Sequence, residues 1–132
     1  MAAMIYLDTH VVAWLYNGSV ELLSPLARQL IEAEELLISP MVSLELQYLY
    51  EVGKTAMQAE PVLESLRRDI ALEVCDLPFA GVVQAALSQA WTRDPFDRLI
   101  TATAMCRGAP LLTKDTVIRA NYSRALWDDE ST

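Results

Sequence analysis

A chain of 132 residues, 53% hydrophobic and 21% charged, has the size and composition of one compact domain, which excludes a disordered tail or two ordinary cores. A net charge of −8 excludes a general nucleic-acid coat protein, whose affinity comes from excess lysine and arginine. Cys75 and Cys106 form no CxxC pair and lie in apolar sequence, so both are expected to be buried, reduced thiols suited to the cytoplasm.

Residues 4–7 are an apolar run of strand length, punctuated by Asp8-Thr9. Residues 10–16 carry no breaker and read as a short helix stopped near Asn17-Gly18. Ser24-Pro25 places a capping hydroxyl before a proline at the first helical position, where a missing N–H is tolerated, and opens a helix to about Glu34. Residues 36–38 form a second buried strand. Ser39-Pro40 repeats the opening device for a helix running to Val52, with Gly53 as its C-cap. Pro61 starts another helix, and residues 72–75 alternate as a third strand. Pro78 opens a helix to about Trp91, and Asp94-Pro95 caps one ending at Arg107-Gly108. Residues 110–113 are a fourth strand and 125–127 a fifth, leaving an acidic tail at 128–132. Alternating strands and helices define an α/β fold, a parallel sheet covered on both faces, in a single domain over 1–127. The N-terminus has no basic leader region, and no run approaches the ~18 apolar residues of a membrane span, so a soluble protein with no membrane partner is expected.

The chemistry is narrowed by what is missing. None of the four glycines forms a dinucleotide fingerprint or a P-loop, and a single histidine, His10, supports neither a zinc site nor a G-x-S-x-G hydrolase. Carboxylates remain. Asp8 follows the first strand and Asp115 the fourth, at the carboxyl edge where open α/β sheets bind ligands. Each, taken singly, also reads as a cap of the following helix. Glu45 is flanked at helical spacing by Met41, Val42, Tyr48 and Leu49, and a carboxylate in an apolar stripe needs a metal ion or an arginine as partner. Asp94 and Asp97 fall at the N-cap and third position of their helix, where the helix dipole accommodates both. Residues 93–124 hold six of the ten basic residues against three acids, so cation binding by those acids leaves this segment locally positive.

The ordered set Leu7-Asp8-Thr9-His10, Val42-Ser43-Leu44-Glu45, the block from Arg93 to Ala102, and Leu111-Leu112-Thr113-Lys114-Asp115 resembles the PIN-domain nucleases, and among them the VapC-type toxins of toxin–antitoxin pairs. The resemblance spans nearly the whole chain. It implies a sheet of about five parallel strands flanked by helices, with a metal-binding catalytic quartet on Asp8, Glu45, Asp97 and Asp115. Asp94, Thr9 and Thr113 are then accessory, and Mg2+ or Mn2+ is the cofactor. Hard ions of this kind prefer carboxylate and water oxygens, and a pair ~4 Å apart can activate a water and stabilise the leaving oxygen. The implied activity is RNA hydrolysis leaving a 3′-hydroxyl and a 5′-phosphate. The implied partners are an RNA substrate, a cognate antitoxin inserting a basic side chain into the acidic pocket, and a second copy in a homodimer.

Arg93, Arg98, Lys114 and Arg119 are the candidates for holding the RNA backbone. Trp91-Thr92 stands before Arg93 where many relatives have a histidine, a departure that bears on substrate preference. Trp14, Leu44 and Tyr48 are the expected antitoxin contacts, because the helices at 10–16 and 40–52 are apolar around more of their circumference than one core stripe needs. The competing reading is a PIN-like module that binds a protein and does not catalyse. A receiver-like phosphoryl-transfer domain ranks lower, because such proteins pair two acids at the first strand and Asp8 stands alone.

Overall fold

The computed structural model describes residues 2–128. Strands β1 (Met4–Leu7), β2 (Glu35–Ile38), β3 (Glu73–Val74), β4 (Leu111–Leu112) and β5 (Ala125–Leu126) form one sheet in the order β3-β2-β1-β4-β5, with every neighbouring pair parallel. The α/β class and the five-stranded parallel sheet are those expected. Ile5, Tyr6 and Leu7 of β1 are all buried, as are Leu36, Leu37 and Ile38 of β2 and both residues of β4. Consecutive apolar residues, not alternating ones, suit strands covered by helices on both faces. The edge strand β3 is held to two exposed residues, which limits unwanted pairing there.

Helices α1 (Thr9–Asn17), α2 (Pro25–Ala33), α3 (Pro40–Glu51), α4 (Ala59–Ile70), α5 (Phe79–Ala86), α6 (Pro95–Arg107) and α7 (Thr116–Asn121) connect the strands, with a 3-10 turn at Val20–Leu22. The expected N-caps are in place, while α3 ends at Glu51 with Val52 as its C-cap and Gly53, expected there, one residue beyond. Ser24, Ser39 and Asp94 each accept backbone N–H bonds ahead of a proline, and Gly18 and Gly108 close α1 and α6 in the left-handed region that glycine enters without a Cβ penalty. The chain steps outward from β1 through β2 to β3, then crosses back through α5 and α6 to β4 on the other side of β1. The order of strands therefore reverses between β1 and β4, and the crevice beyond their carboxyl ends is the natural ligand site of such a sheet.

Three local expectations are corrected. Helix α5 ends at Ala86, not near Trp91, because the Ala86 carbonyl accepts from the Gln89 N–H and from the Arg98 guanidinium, which closes the helix with a turn. Helix α4 begins at Ala59, two residues before Pro61. The Gln47 side chain accepts the Ala59 N–H, and the proline falls in the first turn, where its N–H is not needed. Cys75 is buried as expected, but Cys106 is exposed near the end of α6. Of the expected acidic tail only Asp128 is described. It accepts the Leu26 N–H at the start of α2, and the remainder lies outside the described residues.

Candidate metal centre

Four helix-opening segments bring acids to the crevice. Asp8 leaves β1 and caps α1, its Oδ1 accepting the Thr9 N–H at 2.8 Å. Its Oδ2 accepts the Thr113 hydroxyl at 2.6 Å, across 105 residues of sequence. The same Thr113 oxygen accepts the Asp115 N–H at 3.1 Å, so one hydroxyl links the ends of β1 and β4. Asp115 caps α7 through the N–H groups of Val117 and Ile118, as Asp94 caps α6 through those of Phe96 and Asp97. Glu45 projects from the second turn of α3 and accepts the Thr9 hydroxyl at 2.5 Å. Thr9 and Thr113 are fully buried, and Asp8 nearly so.

Electrostatic interactions connect these acids. Burial raises the Asp8 carboxyl above its ordinary range; the Thr113 and Thr9 hydrogen bonds and the His10 charge oppose the rise, and Asp115 adds to it. Glu45 is raised first by burial and further by the charges of Asp8 and Asp94, against the Thr9 bond and His10. Asp97 is pushed up to about 7, by burial and then by Asp94, Asp8, Asp115 and Glu45 in turn. Asp97 thus feels every other acid of the set, which places it at their electrical centre. The charges of Asp8, Glu45, Asp115 and Asp94 all reach Asp97, and Asp94 also caps α6.

The donor set is one of carboxylate and hydroxyl oxygens, the kind that hard divalent cations select, and the raised carboxyls mark a deficit of positive charge that such a cation would fill. Among the described residues, however, no three His, Cys, Asp or Glu side chains stand close enough to form a ready-made metal cage. Asp8 and Asp115 are tied to hydroxyl or helix N–H groups and Glu45 to the Thr9 hydroxyl, so an ion bound at Asp8 would share oxygens that the Thr9 N–H and the Thr113 hydroxyl now hold.

The basic candidates divide. Arg98 donates to the carbonyls of Ala86 and Leu87 at the end of α5, and Arg119 donates to Trp127. Arg93 donates to Ala90 from an exposed loop, and Lys114 is exposed beside Asp115. Trp14 is half-buried and packs edge-on against Trp127 at 6.1 Å, whereas Leu44 and Tyr48 are exposed. His10, given no role from sequence beyond the chemistries it excludes, is exposed next to Asp8 and lends positive charge to both Asp8 and Glu45. Its adjacency to Asp8 was the available signal.

The PIN-domain family model matches residues 5–123, and the chain belongs to the PIN-domain family. It is 35% identical over 120 residues to Ribonuclease VapC22 of Mycobacterium tuberculosis, spanning 89% of this chain and 91% of that protein. Its fold is similar to that of VapBC2 from Rickettsia felis, solved bound to a DNA fragment from their promoter, with a TM-score of 0.61 and 21% identity over 95% of this chain and 99% of the other. A toxin–antitoxin complex from Klebsiella pneumoniae matches with a TM-score of 0.61 and 19% identity over 91% and 92% of the two chains.

Proposed function

We propose that this protein is a divalent-metal-dependent ribonuclease acting as the toxin of a toxin–antitoxin pair, with Asp8, Glu45, Asp97 and Asp115 as its metal-holding catalytic residues. The observation that carries the reading is the Asp97 carboxyl, raised to about 7 by burial and then by the charges of four other acids. A protein keeps such unfavourable crowding where function demands it, and the likeness to Ribonuclease VapC22 over most of both chains names the chemistry. Bound Mg2+ or Mn2+ supplies the activation of a water and the neutralisation of charge on the leaving oxygen.

The chain's own residues do the positioning. Thr113 and the α1 N-terminus fix both oxygens of Asp8, and Thr9 fixes Glu45 against it. Asp97 stands in the first turn of α6 and Asp115 at the N-cap of α7. Arg93 and Lys114, both exposed, and the half-buried Arg98 and Arg119 are the basic residues proposed to meet the phosphate backbone. A cognate antitoxin and a second copy of the chain are the proposed protein partners, with Leu44, Phe79 and Leu87 as exposed apolar surface available to them.

Cleavage of single-stranded RNA by the purified chain in Mg2+ or Mn2+, abolished by chelation, tests the reading. Asp8→Asn and Asp97→Asn should each lower kcat/KM at least about a hundredfold with folding intact, a loss of the size expected when a group acting in the transition state is removed. The second reading is a non-catalytic binding module, and the lack of a ready-made cage among the described residues is the observation on its side. Antitoxin binding with no metal uptake by calorimetry and no RNA cleavage would establish it.

A further inference from the structure

Beside the acids the molecule exposes an aromatic pair. Tyr48 stands one helical turn after Glu45 on α3, and Phe96 immediately precedes Asp97 on α6. Their ring centroids are 5.9 Å apart and the planes are inclined by 33°. Phe96 packs against the core, and its N–H is fixed by Asp94. Tyr48 leaves 48% of its surface in solvent. One ring is therefore an anchored backing and the other a wet aromatic surface, on the same helix turns that carry Glu45 and Asp97.

We propose that Tyr48, backed by Phe96, is the stacking platform for an unpaired nucleobase adjoining the phosphate that the acids address. This rests on the nuclease reading and deepens it, since it makes the substrate single-stranded at that nucleotide. Every base presents a π-face, so a phenol ring accepts any of them. Bases in a duplex are already stacked on their neighbours and cannot use it. Continuity with the acids places a substrate base there. Side chains three positions apart on a helix are neighbours, so whatever lies against Tyr48 also meets Glu45, and a strand whose phosphate is at the acids delivers a base to that spot.

The test is steady-state cleavage of a single-stranded RNA in Mg2+ or Mn2+, comparing wild type with Tyr48→Leu and Tyr48→Trp, using intact RNA and RNAs carrying one abasic nucleotide at successive positions around the cut. Tyr48→Leu keeps apolar bulk without the π-face. It should raise KM about tenfold or more, with kcat and melting temperature near wild type, and Tyr48→Trp should restore KM. One abasic position should cost the wild type the same factor and cost Tyr48→Leu nothing further. A Tyr48→Leu enzyme equal to wild type on intact RNA overturns the proposal. So does a loss accompanied by a change in molar mass by light scattering, which would make the face a protein interface. Cleavage insensitive to Tyr48 leaves the nuclease reading standing, whereas no cleavage by the wild type overturns both.

Discussion

Asp97 concentrates the physics of single residues in this protein. Its carboxyl, ordinarily near 3.8, is raised to about 7, so between those values the folded chain keeps a proton that the unfolded chain has released. A group bound more tightly to its proton in the native state favours folding at low pH, and that contribution is lost as pH rises through about 7. Asp8 and Glu45 are shifted in the same direction and add to the effect. The melting temperature of metal-free protein should therefore fall as pH is raised from about 4 to about 8. Asp97→Asn should flatten that slope and stabilise the metal-free chain at neutral pH, even as it removes activity. A metal-free melting temperature that rises over this range would contradict the crowding argument. Asp94→Asn should act differently. An asparagine still caps α6, so the loss should be ~1 kcal/mol or less, with much of the activity retained. Sequence made the acids legible because Asp8, Asp97 and Asp115 follow a strand or a capping pattern and Glu45 stands in an apolar stripe. It could not reveal the Thr113 hydroxyl bond that locks Asp8, since nothing local connects residues 105 positions apart.

At the scale of elements, proline-led caps made α2, α3 and α6 readable, since serine or aspartate before proline leaves little else for the backbone to do. The end of α5 was not readable. Residues 87–91 contain no breaker, and what stops the helix is Arg98, a side chain from α6 that takes its last carbonyls. That bond couples the end of α5 to the helix carrying Asp97. Arg98→Ala should cost about 1 kcal/mol of stability and speed amide exchange over residues 83–89. Arg98→Lys should recover little, because an ammonium lacks the planar fork that reaches two carbonyls. Unchanged exchange in Arg98→Ala would show that α5 ends on its own account. The strands behaved similarly: β1 and β2 announce themselves as apolar runs, whereas β3 and β5 are two residues each and owe their pairing to β2 and β4.

For the whole molecule, the sheet order places β1 at the centre, with the acids gathered where the winding reverses. Ions bound only by the folded arrangement should raise the melting temperature in proportion to the logarithm of free Mg2+ or Mn2+, and Asp8→Asn should abolish the rise. An absent metal effect in the wild type would count against the site. Among the described residues no helix is long and apolar enough to cross a membrane. Expressed without its partner, the wild-type chain should arrest growth and the Asp8→Asn chain should not, as read by culture density. The bond between Asp8 and Thr113 also sets a schedule for synthesis. A ribosome delivers the chain from its N-terminus, so Asp8 and Glu45 emerge early and wait for β4, which supplies both the neighbouring strand and the locking hydroxyl. Every shorter nascent length therefore lacks Thr113 and Asp115, and a fragment ending at residue 108 should be inert toward RNA. On the proposed reading, a nuclease arranged in this way is harmless while it is being made, and its activity begins when the last fifth of the chain folds home.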